Sequence, residues 1–404
     1  MARTFTVGPK GDKIRSDLRV TYSTTRQPLT IKIHSTVATL YGKSLSEQVK
    51  VVSSDLGIDS GKLVIDDFGA VPFVVAARIE AAVKAARPGI KEQSLPPIKP
   101  FCSGKTKRNR FRRSRLYIPG DQPKLMLNAG IHKPDAVILD LEDSIAPAEK
   151  EASRFVVRNA LRSVDFFGAE RMVRINQGDL GQEDLAFVVP HNVHVILIPK
   201  VETSEQVKEI DERIATICHE CGRNDPVYLM PIIETARGVM KALEIAEASP
   251  NNIAMAIGLE DYTADIGVQR TEKGRESFLA RSMIVNAARA AGIQAIDSVF
   301  SDVNDMDGLR AFVEDAKSLG FDGVGCIHPR QIRVIHETLA PSEGEIERAK
   351  KIVLAFDEAR KKGLGVVSIG SKMIDAPVVK RALRTVDLAI ATGKLKKSWK
   401  RRES

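Results

Sequence analysis

Four cysteines are scattered over 404 residues. That is too few and too dispersed for a disulfide framework, and it suits a reducing cytoplasm. No stretch approaches the ~18 consecutive apolar residues of a membrane-spanning helix. The opening MARTFTVGPKGDK has no apolar signal core. The expectation is a cytoplasmic protein with no membrane anchor. Cys218-His-Glu-Cys221 is a lone CxxC in a charged helical stretch, without the second ligand pair that structural zinc requires. No G-x-G-x-x-G follows the first strand of the main domain, which removes the usual sign of a dinucleotide-binding sheet. The basic runs at 104–115 and 394–404 carry one aromatic each, Phe111 and Trp399, short of the interleaved set that a stacking surface for single-stranded nucleic acid needs.

What is present describes a globular chain, with 43% hydrophobic and 28% charged residues and a net charge of +9. The two basic runs, GKTKRNRFRRSR and KLKKSWKRRES, read either as solvated linker and tail or as attraction to an anionic partner such as nucleotide phosphates. After the helical IEAAVKAAR comes PGIKEQSLPPIKP, proline-rich and without hydrophobic periodicity, which reads as a linker. Residues 1–88 form a small α+β unit: strands over LTIKIHS and KLVIDDFGA, helices over 37–57 and VVAARIEAAVKAA. The linker covers 89–111, the main domain 112–340, and a helical arm with a basic tail 341–404. The arm is either a packed appendage or a swapped element that reaches a neighbouring subunit.

In the main domain, eight short apolar runs alternate with amphipathic helical segments. They are 115–119, 136–143, 172–176, 194–200, 227–234, 252–261, 293–299 and 322–329. This pattern implies parallel strands, and eight of them predict closure into a (β/α)8 TIM barrel; an open doubly wound sheet is the alternative. Glu142, Asp143, Arg174, Lys200, Glu234, Asp261 and Asp297 fall at or just past the C-terminal ends of different runs, where a barrel gathers its chemistry. Glu234 and Asp261 end adjacent apolar runs. Carboxylates so placed can hold Mg²⁺ and leave positions open for an oxygen-rich substrate.

In order and spacing, RRSRLYIPGD, VILDLEDSI, VRIN, LIPKVET, IIETARG, GLEDYTADIG, AIDSVFSD, GCIHPRQI and SIGSKMIDAPVV resemble the citrate lyase β-subunit-like branch of the HpcH/HpaI aldolase superfamily, over about Arg112 to Thr392. IKIHSTVATLYGKSLSEQV and VIDDFGAVPFVVAARIEAA resemble the citrate lyase γ subunit, an acyl carrier protein. The resemblance implies Mg²⁺ on Glu234 and Asp261. It also implies that Arg174 contacts substrate, with Arg113 and Glu234 as further substrate contacts. Glu142 and Asp143 match a second acidic pair that supports metal-bound water. Asp375 matches an acid/base aspartate that in relatives reaches an adjacent subunit of a trimer, so the resemblance implies a homo-oligomer, with a citrate lyase α-type transferase subunit as a further partner.

The implied reaction cleaves a β-hydroxy acyl thioester, citryl-carrier to oxaloacetate and an acetyl thioester. It needs a base for the hydroxyl proton, cations for the keto-acid and enolate oxygens, and an acid for the carbanion. The residue types fit: Arg174 offers permanently charged planar donors, Asp375 suits acid/base work, and Lys200 is better placed to hold acidic loops together than to form a Schiff base. The carrier motif departs from its pattern. Where Gly-x-x-x-Ser-x-Asp would carry a phosphoribosyl-dephospho-CoA arm, the chain reads GDKIRSDLRV, with Arg15 at the serine position and Ser16 beside it. Attachment at Ser16 is one reading. An unloaded carrier, with free CoA as the thioester carrier and Arg15 and the basic run meeting its phosphates, is the other. The rival functions are a malyl- or citramalyl-CoA lyase or thioesterase of the same fold, and a non-catalytic carrier or assembly subunit.

Overall fold

The computed structural model describes residues 3–11, 13–361, 363, 367–369 and 372–400. Strands β1 (Thr4–Val7) and β2 (Leu18–Pro28) form an antiparallel pair. Then come β3 (Thr30–Ser35), α1 (Ala38–Asp55), β4 (Ser60–Asp67) and α2 (Pro72–Ala86), giving a sheet in the order β1-β2-β4-β3. The sequence reading found β3, β4 and both helices but assigned no strand to 4–7 or 18–28. Leu18, Val20 and Tyr22 alternate inward along β2, a two-residue period that the carrier-motif comparison passed over.

The barrel follows: β5 (Ser114–Pro119), α3 (Pro123–Ala129), β6 (Ala136–Asp140), α4 (Lys150–Ser163), β7 (Glu170–Arg174), α5 (Gly178–Val188), β8 (Val195–Ile198), α6 (Ser204–Cys221), β9 (Tyr228–Ile233), α7 (Ala236–Met240), α8 (Ala242–Ala246), β10 (Ala254–Ile257), α9 (Leu259–Asp265), α10 (Phe278–Ala290), β11 (Gln294–Val299), α11 (Met306–Leu319), β12 (Gly323–Cys326) and α12 (Pro329–Leu339). The eight strands close in chain order, all parallel, with β12 pairing back to β5. All eight expected runs are strands. They read as continuous apolar stretches because helices cover one face and the barrel interior fills the other. Ile138, Met172, Leu197, Met230, Ile232 and Ile296 pack that interior.

The reading of the connecting segment's basic run as solvated linker charge is corrected in part: Arg112 is buried and Arg110 and Arg113 are half-buried, while Lys105, Lys107 and Arg108 stay exposed. Helix α2 is mostly apolar, and almost every residue is buried, the charged Arg78 and Glu80 included, as befits a helix sandwiched between two partners. One partner is the N-terminal sheet and the other is α4 of the barrel. Across that contact Arg158 Nη2 and Nη1 donate to Glu80 at 2.7 and 3.1 Å, with Glu80 fully buried. Asn159 donates to the Phe73 carbonyl at 3.1 Å. Arg78, also buried, joins both oxygens of Asp17 and donates to the Asp121 carbonyl in the loop after β5. The N-terminal domain and the barrel therefore lie in one compact unit, residues 1–332.

The basic run continues this lock beneath the barrel. Arg108 donates to the Pro250 and Asn252 carbonyls and Arg110 to those of Asp135 and Gly168. Arg112 is buried against Glu170 through bonds of 2.7 and 2.9 Å. The strand-start ends of the barrel present carboxylates and carbonyls, and this run neutralises them. A linear reading cannot see that demand.

The second compact unit begins at Arg333, inside α12, rather than at 341. It contains α13 (Glu343–Lys361), the antiparallel pair β13 (Val367–Ile369) and β14 (Lys372–Ile374), and α14 (Ala376–Ala391). Ala349 and Val353 pack against Ala382 and Val386. Residues 401–404 of the basic tail lie outside the described residues. No helix among the described residues is long and apolar enough to cross a membrane.

Candidate active site

Asp140 closes β6 and Arg174 closes β7, and the ladder register places them side by side. Arg174 donates through Nε and Nη2 to the two Asp140 oxygens, both at 2.7 Å. Its Nη1 lies 2.8 Å from Glu142 Oε2, an ion pair without hydrogen-bond alignment. The guanidinium carbon stands 5.4 Å over the Tyr117 ring. Burial alone would lower the Arg174 pKa, but Asp140 and Glu142 outweigh it and hold the group firmly charged. Burial likewise opposes ionisation of Asp140, and Arg174 overcomes it, leaving that carboxyl below its usual range. This is a fixed cation at the C-terminal rim.

Glu234 follows β9 and is 4% exposed. Its Oε2 accepts from the Lys200 backbone N–H at 3.0 Å. Burial first, and then the charge of Asp261, push its carboxyl up to about 8. Asp261 sits in the first turn of α9, on the loop after β10. Gly258 makes this approach possible: a β-carbon there would lie 2.4 Å from Glu234 Oε1. Lys200 adopts the left-handed conformation at φ 48°, which costs roughly 1–3 kcal/mol for a residue with a β-carbon. From there its Nζ stands 3.3 Å from Asp143, 3.5 Å from Glu142 and 3.6 Å from Asp261. Asp140, Arg174, Glu234 and Asp261 line a cavity of about 300 Å³, with Tyr117, Arg115, Asp297 and Ser298 on its walls.

Among the described residues no cluster of three or more histidine, cysteine or acidic side chains is arranged to enclose a metal. A cation held here would take two protein carboxylates and fill its other positions with water and substrate oxygens, the ordinary habit of Mg²⁺. The repulsion that raises Glu234 is what a divalent cation between Glu234 and Asp261 would relieve. The donor set fits Mg²⁺.

Of the residues singled out in the sequence, Glu142, Asp143, Arg174, Lys200, Glu234 and Asp261 are brought together. Arg113 is not. It precedes β5, at the opposite end of the barrel, and joins Asp135 through its backbone N–H, Nε and Nη2, each at 2.8 Å. A six-residue strand separates it from the rim, so its reading as a substrate contact is replaced by a structural one. Asp297 is fully buried and bound to Arg281 at 2.6 and 3.0 Å. Asp375, described within its own unit, caps α14 by accepting from the Val378 N–H at 3.2 Å. Ser16 is half-buried at φ 60° in the turn between β1 and β2, and its N–H donates to the Phe68 carbonyl. Sequence reasoning missed Asp140 and Gly258. Asp140 had a signal: it is the acid that ends the apolar run AVILD.

Residues 113–329 match the family model described as HpcH/HpaI aldolase/citrate lyase, and residues 11–86 match an acyl-carrier model described as malonate decarboxylase delta subunit. The citrate lyase subunit beta of Leuconostoc mesenteroides subsp. cremoris is 42% identical over 287 residues, 70% of this chain and 94% of that protein. The mitochondrial citramalyl-CoA lyase of Homo sapiens is 32% identical over 292 residues, 69% of this chain and 85% of that protein. Among solved structures, CitE from Mycobacterium tuberculosis in complex with magnesium, acetoacetate and coenzyme A superposes with a TM-score of 0.58 at 31% identity, covering 70% of this chain and 99% of that one. The chain belongs to the HpcH/HpaI aldolase/citrate lyase family, with an acyl-carrier-like domain fused ahead of the barrel.

Proposed function

We propose that this protein is a magnesium-dependent carbon–carbon lyase that splits a citryl-type β-hydroxy acyl thioester into oxaloacetate and the shorter acyl thioester. The observation that carries the reading is the facing pair Glu234 and Asp261 beside the fixed cation Arg174 in one rim pocket. The similarity to citrate lyase β subunits, and to the CitE complex with magnesium and coenzyme A, supports it.

Glu234 and Asp261 would hold the Mg²⁺, which supplies Lewis-acid polarisation of the keto-acid oxygens when bound. The chain's own groups account for the rest. Arg174, locked by Asp140, is oriented in advance for developing negative charge, so little reorganisation accompanies bond cleavage. Glu142, Asp143 and Lys200 brace the acidic rim. Asp375 of an adjacent copy takes the hydroxyl proton as the carbon–carbon bond breaks and the ketone forms; returning that proton to the carbanion completes the acyl product. On this reading the protein works as a homo-oligomer, a trimer or a multiple of one, in the cytoplasm.

For the thioester carrier we propose a phosphoribosyl-dephospho-CoA-type arm on Ser16, loaded by an α-type transferase partner. Free acyl-CoA is the second reading, and two observations favour it: Arg15 occupies the serine position, and the Glu80–Arg158 lock denies the N-terminal domain a swinging motion. The test is intact mass of the native protein together with citryl-thioester cleavage by the Ser16→Ala variant. An added mass of several hundred daltons and an inactive variant are expected. An unmodified mass with full variant activity on acyl-CoA would replace the arm by free CoA.

A further inference from the structure

Arg115 is the second residue of β5, one inward-facing position deeper in the barrel than Tyr117. It is 1% exposed and lines the pocket whose rim holds Glu234 and Asp261. A guanidinium has five N–H donors, and here the partners are poor. Nη1 meets the Met230 sulfur at 3.1 Å, Nη2 meets the Asp297 backbone carbonyl at 3.3 Å, and Nε has no hydrogen-bond partner. The nearby carboxylate, Asp297, is already engaged: its Oδ2 accepts twice from Arg281 and its Oδ1 accepts from the Ser298 N–H.

A buried charge held only by a thioether and a carbonyl is unfavourable unless another group completes its shell. Arg115 faces a cavity from below while the reacting groups stand above it. We propose that Arg115 is the specificity-determining floor of the pocket, binding the carboxylate of a keto acid at the end remote from the metal-binding carboxylates. A planar fork matched to a carboxylate is what arginine provides and lysine does not. This selects substrates with a second carboxylate over otherwise equal acids that lack it, because the shorter acid leaves the guanidinium unpaired. The burial of Arg115 also shifts its titration downward, consistent with a cation short of partners.

The inference rests on the lyase reading, and the experiment separates the two. Calorimetric binding of oxaloacetate and of pyruvate, each with saturating Mg²⁺, is compared in the parent full-length protein and in Arg115→Met. The parent is expected to prefer oxaloacetate by tenfold or more. R115M loses that preference, keeps pyruvate affinity within about twofold, and melts at the same or a higher temperature because an underpaired buried charge is gone. Should R115M fail to fold, Arg115→Lys carries the same comparison and is expected to lose part of the preference. If the parent binds both acids and the variant keeps their ratio, or weakens both equally, the inference is overturned while the lyase reading stands. If the parent binds neither acid, both fall together.

Discussion

Gly258→Ala isolates the metal-holding geometry in a single methyl group. Its backbone, at φ −108°, accepts any residue, so the substitution acts through space alone. The new β-carbon would lie 2.4 Å from Glu234 Oε1, 2.7 Å from Cγ and 3.0 Å from Cδ, and ordinary contact begins at 3.4 Å. The carboxylate must therefore retreat by 3.4 − 2.4 = 1.0 Å. It has little room, being 4% exposed and tied to the Lys200 N–H at 3.0 Å. Overpacking of this size costs about 1–3 kcal/mol, a loss the fold survives. A shift of about 1 Å in a catalytic group lowers rate about a hundredfold. The assay is oxaloacetate release against Mg²⁺ concentration, with urea denaturation run in parallel. A folded G258A with parent turnover and parent Mg²⁺ half-saturation would refute the placement of Glu234 as a metal ligand.

Other outcomes follow from the same geometry. Arg158→Met strips Glu80 of its buried partner, which should destabilise the protein by about 3–5 kcal/mol and open α2 to hydrogen exchange; unchanged exchange would mean the domains are held by other contacts. Arg113→Met should lower stability with kcat within about twofold of the parent, and a collapse in kcat without loss of stability would return Arg113 to the site. Asp375→Asn keeps a good helix cap, so stability should hold while kcat falls by about two to four orders of magnitude, as for a lost acid or base; parent turnover would make the residue a cap alone. Burial first, and then neighbouring arginines, hold His191 and His194 down to about 3. Between 6.5 and about 3 the unfolded chain binds protons that the fold refuses. Stability should therefore fall as pH drops through that window, by up to about 1.4 kcal/mol per pH unit per histidine. Replacing both by asparagine should flatten the slope measured by denaturation at pH 7 and pH 5.

The barrel was legible because most of its strands are short apolar runs, and the site was legible because charged residues gather at their C-terminal ends, even though Arg115 in β5 and Asp297 in β11 lie within a run. AVILD and MVR announce both strand and chemistry in five letters or fewer. What escaped the sequence depends on partners far along the chain. Arg112 and Arg113 look like solvated linker charge until Glu170 and Asp135 close beneath the barrel to receive them. Helix α2 did carry a warning, since apolar residues on nearly all its sides leave two faces to bury, yet nothing local identifies α4 as its second partner. Gly258 reads as a loop glycine, and its need appears only when Glu234 of the preceding strand end is laid against it. Arg115 alternates with Tyr117 and Pro119 as any strand residue would, and only closure of the barrel makes its charge costly.

The most direct test of the central claim is citryl-thioester cleavage, measured as oxaloacetate formation, by the parent, Glu234→Gln and Asp261→Asn, each with Mg²⁺ and with excess EDTA. The parent should turn over with Mg²⁺ and stop in EDTA, while both variants stay folded and lose most activity in either condition. Full parent turnover in EDTA, or parent-like rates from both variants, would contradict a lyase built on Glu234 and Asp261.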